Sequence, residues 1–268
     1  MHARDAQPAR PGGGRPGPRA LSASLSPLGG IPEIAPGADL AALIAGAAPD
    51  DLASGDIVVL SHKAVSKAEG RLRALRNVQP GERARQLAAP FGKDPRLVQV
   101  VLDESADVLR ADHGVLICET RHGLVCANAG VDLSNAPEGA AILLPEDPDA
   151  SARALRKGLS DLRGVRPAVV IADSFGRAWR LGQVDVAVGC AGLVPLDDWR
   201  GRSDSRGYEL RATAIATADS VAAAADLVRA KDSLEPAVLV RGLEWLVTDD
   251  DGPGAAALRR PRRDDLFR

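Results

Sequence analysis

Aromatic side chains are scarce in this sequence: Phe, Tyr and Trp make up 3% of 268 residues, too few for the stacking platforms of single-strand nucleic-acid binders. Charge of one sign is equally lacking. With 34 Lys and Arg against 36 Asp and Glu, the formal net charge is −2, without the basic surplus of a polyanion binder, so nucleic acid is not an expected partner. Apolar runs stay below the roughly 18 to 20 residues of a membrane span, and the N-terminus lacks an apolar secretion core. A cytoplasmic protein without a membrane partner is expected. The three cysteines, Cys118, Cys126 and Cys190, form neither an even set nor a CxxC pair, which signals no disulfide framework and no zinc site. Each lies in an apolar run and reads as a buried free thiol. Phosphate signatures are missing too: there is no GxxxxGK[ST], and no GxGxxG follows a strand, so P-loop and dinucleotide-binding cradles are excluded.

What remains is the composition of an ordinary globular protein, 45% hydrophobic and 26% charged, long enough for one large domain or two small ones. Residues 1–26 are rich in Pro, Gly, Arg and Ser and read as a disordered tail. Order is expected from near Ile31, within a region 27–248 that has room for two subdomains, and residues 249–268 form a charged C-terminal segment. Helices are expected at 39–48, 83–89, 95–109, 149–162 and 219–230. The third carries Leu97, Val98, Val101, Leu102 and Ala106 on one face; the fourth is N-capped near Asp149 or Ser151. Strands are expected at 56–60, 113–119, 123–127, 167–172 and 237–240, the second and third as a hairpin turning at Arg121 and His122. Residues 61–71 read as a polar loop and 184–194 as an apolar, Gly-rich run. The mixture fits α/β or mixed α+β.

Three stretches carry chemistry. In PAVVIADSFGRAWR, Asp173 and Ser174 stand where an apolar strand is expected to end before a turn at Gly176, the place where α/β sheets gather ligands and where an acidic residue commonly holds Mg²⁺. An Asp that merely caps a turn carries about half the weight on this spacing. Arg177 and Arg180 offer planar forks for carboxylate or phosphate. In ANAGVDLSN, Asp132 also follows a strand; turn chemistry and metal ligation are nearly balanced for it, and Asp132 and Asp173 together suit one hard divalent cation. In SHKAVSKAEGR, Lys63 and Lys67 with Ser61, His62 and Ser66 follow a buried strand, where ammonium and hydroxyl groups suit a triphosphate, although a solvated surface Lys67 is the commoner case. The loop DDWRGRSDSRGYEL, with Arg200, reads as an ion-paired surface loop.

Taken in order, VVLSHKAVSKAEGR, HGLVCANAGVDLSN, LLPEDPDASA, VVIADSFGRAWRLGQ, VGCAGL, DDWRGRSDSRGYEL, ATADSVAAAADLV and PAVLVRG resemble the coenzyme F420-0:L-glutamate ligase family, also called F420:γ-glutamyl ligases. The resemblance spans nearly the whole expected ordered region. It implies a two-part, mixed-sheet α/β homodimer without a P-loop. It further implies a GTP-dependent enzyme that joins L-glutamate to the lactyl carboxylate of coenzyme F420-0 and then adds a second, γ-linked glutamate, through an acyl phosphate. Carried onto matching positions, Asp132 and Asp173 bind a divalent metal, Mn²⁺ or Mg²⁺, and Ser174 serves a second; K⁺ is a further candidate ion. Contacts to GTP fall to His62, Lys63, Lys67 and Asn135, to Ile31, Pro32, Glu33 and Ile34, and to the loop of Arg229, Ala230, Lys231, Asp232, Ser233, Leu234 and Glu235. Asp132, Asp173 and Lys67 are the expected catalytic groups, and Arg177, Arg180 and Arg200 are candidate clamps for the acidic substrates. Lys231 departs from the family, many members of which have Glu or Gln there as a ligand of the second metal. That leaves an altered second site, a ligand from Asp232 or water, or an ammonium replacing part of the metal's charge. The alternative from a different class is a metal-dependent nucleotide-binding protein or phosphohydrolase without ligase activity.

Overall fold

Two short runs, IVVL and AVVIA, can be satisfied only where a sheet is covered on both faces, and they build the centre of the molecule. In the computed structural model, which describes residues 22–266, the chain runs β1 (Ser24–Pro27), α1 (Leu40–Ala47), β2 (Ile57–Ser61), α2 (His62–Ala68), β3 (Leu72–Ala74), α3 (Glu82–Ala88), α4 (Pro95–Glu104), β4 (Ser105–Asp112), β5 (Val115–Thr120), β6 (Val125–Ala127) and β7 (Ala140–Ile142). It continues through α5 (Pro148–Arg163), β8 (Ala168–Arg177), β9 (Arg180–Ala191), β10 (Leu196–Asp198), β11 (Ala214–Ala216), α6 (Thr217–Asp226) and β12 (Ala237–Arg241). The main sheet has the order β1-β12-β2-β8-β9. Only β2 and β8 pair in parallel; the other neighbours are antiparallel. This is a mixed α/β fold.

Alternate residues of the central strands feed two separate cores. Val58, Leu60, Val169 and Ile171 face α1, α2 and α5, packing with Ile44, Leu155 and Leu159. Ile57, Val59, Val170 and Val238 face α6, packing with Val221, Ala222 and Ala225. Close approach needs small residues: a Cβ on Gly189 of β9 would lie 2.4 Å from the backbone of Pro148, where α5 begins. Below α5, the buried Arg156 donates to the carbonyl of Asp250 (2.6 Å) and to Asp251 Oδ1 (2.8 Å), tying that C-terminal stretch to the main body. A third core lies apart, where α3 and α4 cover β5 and the turn before Val131.

Several sequence expectations change. A strand begins at Ser24, inside the stretch assigned to the tail, because it completes the sheet edge against β12; residues 1–21 lie outside the described residues. The helix expected to reach 109 ends at Glu104, and Ser105 opens β4, which pairs with β5. The polar loop after β2 is helix α2, whose Ala64, Val65 and Ser66 are buried. Helix α5 is capped by Asp147, whose carboxylate accepts from the N–H of Ala150. Strand β8 does not end at Asp173: it runs on to Arg177, so no turn forms at Gly176.

Candidate active site

At the end of the main sheet where β2 and β8 leave the core, a cavity of about 310 Å³ opens. The third, separate core supplies one wall. After β6 the chain passes through Asn128, Ala129 and Gly130 with φ of 50°, 53° and 72°, a left-handed run that Asn and Gly tolerate. A Cβ on Gly130 would come within 2.7 Å of Leu144. The bend delivers Asp132, whose N–H and C=O both pair with Ile142 (3.0 and 2.8 Å). Its carboxylate accepts from the N–H of Ser134 (2.7 Å) and lies 2.6 Å from the Lys63 ammonium. Burial alone would push Asp132 up, but the hydrogen bonds from Lys63 and Ser134 outweigh it and hold the carboxyl below its ordinary value.

Strand β8 supplies the opposite wall. Successive side chains of a strand point to opposite faces, so Asp173 and Ser174 serve different neighbours. Asp173 Oδ1 accepts from the N–H of Ser174 (2.8 Å) and lies 3.2 Å from Nε2 of the buried His62. That contact is out of line for a hydrogen bond, and among the described residues the nitrogen has no hydrogen-bond partner. Ser174 Oγ donates to Asp185 Oδ1 across the β8–β9 pair (2.5 Å). Asp185 is fully buried and is also paired with Arg229, whose Nη1 is buried without a hydrogen-bond partner among the described residues. Lys231 reaches in from outside to donate to Ser174 Oγ (2.8 Å) and Asp226 Oδ1 (2.9 Å), with Asp185 Oδ1 at 3.7 Å.

The cavity therefore collects Ile31, Pro32, Glu33, Ile34, Lys63, Lys67, Asp132, Asn135, Asp173, Ser174, Arg229, Ala230, Lys231, Leu234 and Glu235. Helix α2 sets Lys63 and Lys67 four residues apart on one face, and Lys67 meets Glu33 at 2.6 Å. Three expected contacts fall elsewhere. His62 is buried behind Asp173, and Asp232 and Ser233 do not line the cavity. Ser233 instead shapes its loop by donating to the Ala230 carbonyl (3.0 Å). The arginines considered as clamps are not brought to the cavity either. Arg177 bonds the Leu181 carbonyl within its hairpin. Arg200 grips Asp198 with both arms of its fork and holds that carboxyl down at about 2, the ion-paired surface loop expected from sequence.

Ser61, whose hydroxyl sequence placed with Lys63 and Lys67, also lines the cavity, together with Asp185, Gln183 and Ser134, which were not expected. For Asp185 a signal existed. Continuing β8 past Asp173 and folding it back through Ala178 and Trp179 brings VDVAV alongside, with Asp185 opposite Ser174.

The donors suit a hard divalent cation. Two carboxylates, Asp132 after the 128–130 bend and Asp173 in β8, and the Ser174 hydroxyl face one cavity, all oxygen. Among the described residues no three His, Cys, Asp or Glu side chains form an all-protein cage, so an ion held here needs oxygens from water or substrate. That is the usual manner of Mg²⁺.

Comparison with known proteins gives a consistent picture. The model of a family described as F420-0:Gamma-glutamyl ligase matches residues 30–242. A protein of Methanothermobacter thermautotrophicus called coenzyme F420:L-glutamate ligase is 44% identical over 252 residues, covering 92% of this chain and 100% of the relative. The proteins of the same name from Methanopyrus kandleri and Haloarcula marismortui are 47% and 42% identical, over 88% and 89% of this chain and 94% and 93% of their own lengths.

Proposed function

Since the chain belongs to the F420-0:gamma-glutamyl ligase family, we propose that it is a coenzyme F420:L-glutamate ligase that spends GTP on each amide bond. The observation that carries this reading is the cavity in which the carboxylates of Asp132 and Asp173 and the cationic groups of Lys63, Lys67 and Arg229 are brought together, the equipment of phosphoryl transfer rather than of a covalent nucleophile. The oxygen of the substrate's lactyl carboxylate attacks the γ-phosphorus of GTP, and GDP leaves. The amine of glutamate then attacks the acyl carbon, inorganic phosphate departs with the bonding pair, and the amine gives up a proton. A second round adds a glutamate through the γ-carboxylate of the first.

Each residue has a task in this scheme. Asp132 and Asp173 would hold one Mn²⁺ or Mg²⁺, which when bound supplies charge neutralisation at the phosphates. Lys67 balances the charge that develops on the transferred group. Lys63 exchanges Asp132 for a phosphate oxygen, and the unpartnered Nη1 of Arg229 offers a further donor. His62 backs Asp173 from the buried side. Asn135, the segment 31–34 and the loop 229–235 embrace the nucleotide. We further propose a homodimer, because Trp179 and Leu181 at the tip of the β8–β9 hairpin are 83% and 97% exposed and gain by being covered; the mass of the native particle in solution decides it. No helix among the described residues is long and apolar enough to cross a membrane, and we place the enzyme in the cytoplasm.

The test is incubation of the pure protein with coenzyme F420-0, L-glutamate, Mn²⁺ and either GTP or ATP, followed by mass spectrometry. One and two added glutamates with GTP are expected. GTP hydrolysis without glutamylated product would replace the ligase by a phosphohydrolase.

A further inference from the structure

Beside the carboxylates Asp132 and Asp173 lies a second set of cation-binding oxygens, and it already has an occupant. Ser174 Oγ, Asp226 Oδ1 and Asp185 Oδ1 surround the Lys231 ammonium at 2.8, 2.9 and 3.7 Å. The Lys231 side chain is 67% exposed, whereas those of Asp226 and Asp185 are 23% and 0% exposed. The flexible stem thus crosses solvent to place its charge against groups that are themselves largely buried. The strand alternation of β8 separates the two sets, with Asp173 on one face and Ser174 with its cross-strand partner Asp185 on the other. Formal charge on the second side balances without any further ion: Asp185 and Asp226 are met by Arg229 and Lys231. A divalent ion added there would face two fixed positive charges at contact distance.

The first set differs. Lys63 pairs with one carboxylate, Asp132, which is 37% exposed. Among the described residues, Asp173 has an ion-pair contact with His62 and none with Lys or Arg. A negative charge therefore remains for an added ion on that side alone.

We propose that the Lys231 ammonium is the built-in occupant of a second cation position, so that each chain takes a single divalent ion, between Asp132 and Asp173. This rests on the preceding reading of those two carboxylates as metal ligands. A lysine tethered in this way fixes one positive charge beside the cavity at any metal concentration, with two of its N–H donors bonded to Ser174 Oγ and Asp226 Oδ1 and its charge facing Asp185.

Counting Mn²⁺ bound per chain by the loss of the free-ion electron paramagnetic resonance signal tests the proposal, using the full chain with and without GDP. Wild-type protein is expected to bind one ion. Lys231→Gln and Lys231→Glu, both at an exposed side chain and checked for fold by circular dichroism, are expected to bind two, and Asp173→Asn none. Two ions in the wild type would overturn this inference while leaving the metal reading of Asp132 and Asp173 intact. One ion in both Lys231 variants would also overturn it, since the lysine would then exclude nothing. No ion in the wild type would remove the metal reading itself, and this inference with it.

Discussion

Replacing Lys63 by Met removes an ammonium that sits 2.6 Å from Asp132, and so should make that carboxylate a better metal ligand. Two unit charges at that distance attract by about 1.6 kcal/mol at a dielectric constant of ~80 and by about 6 kcal/mol at ~20. The pair is partly open, with Lys63 20% and Asp132 37% exposed, so the lower figure, reduced to about 1 kcal/mol by screening and side-chain entropy, is the relevant one. A competing cation worth about 1 kcal/mol weakens Mn²⁺ binding roughly fivefold. In Lys63→Met, Mn²⁺ titrated calorimetrically without nucleotide at pH 7 is expected to bind about fivefold tighter, whereas GTP is expected to bind more weakly because a phosphate partner is lost. Acid stability provides a second reading of the same pair. Because the folded Asp132 ionises below its ordinary value, the pair stabilises the fold above pH ~4 and loses that contribution as pH falls through the depressed folded value. The variant should lack this component of the acid limb. Unchanged or weaker Mn²⁺ binding by the nucleotide-free variant would refute the view that Lys63 and the metal compete for Asp132.

Asp173→Ala should lower glutamylation by at least about 100-fold, the scale of losing one charge-stabilising group, with the melting temperature nearly unchanged; full activity would remove Asp173 from the site. Asp185→Ala strips a buried carboxylate from Arg229, which is only 9% exposed, and should cost about 3 kcal/mol in urea unfolding. A loss well below 1 kcal/mol would mean that Arg229 finds water instead. Gly189→Ala drives a methyl group into the Pro148 backbone and should cost about 1 to 3 kcal/mol, read from the shift in urea midpoint. Burial pushes the Cys126 and Cys190 thiols up to about 12, so iodoacetamide at pH 8 should label them only after unfolding; rapid labelling of the native protein would contradict their burial.

The sequence reveals elements where one period dominates and hides them where two compete. Residues 57–60 and 168–172 are wholly apolar and form the central strands. Val108, continuing the apolar face of α4, keeps helical spacing past the point where pairing with β5 takes over, which is why the end at Glu104 was not visible. The polar groups of HKAVSKA mask a helix that buries two polar residues, His62 and Ser66, along with Ala64 and Val65. At the site, Asp132 and Asp173 each come after an apolar run and could be singled out locally, but their lining of one cavity is a property of the third dimension. Asp185 was concealed because polar residues after Asp173 suggested that the strand had ended. His62 is the converse case: a polar residue after a strand that is buried beside Asp173 instead of lining the cavity.

The position of β12 has a consequence for how the protein is made. This strand is near the C-terminus but lies between β1 and β2 in the sheet, so the N-terminal strand has no seat until the chain has been synthesised past residue 241. The segment 31–34 is fastened beside the cavity by the Leu28 N–H bonding to the Ala237 carbonyl (2.9 Å), and the loop 229–235 arrives with the same strand. Contacts of such long sequence separation form late. A nascent chain can therefore complete much of its central core on the ribosome while the cavity still lacks two walls, and the site is whole only when the segment around residues 24–34 closes against β12.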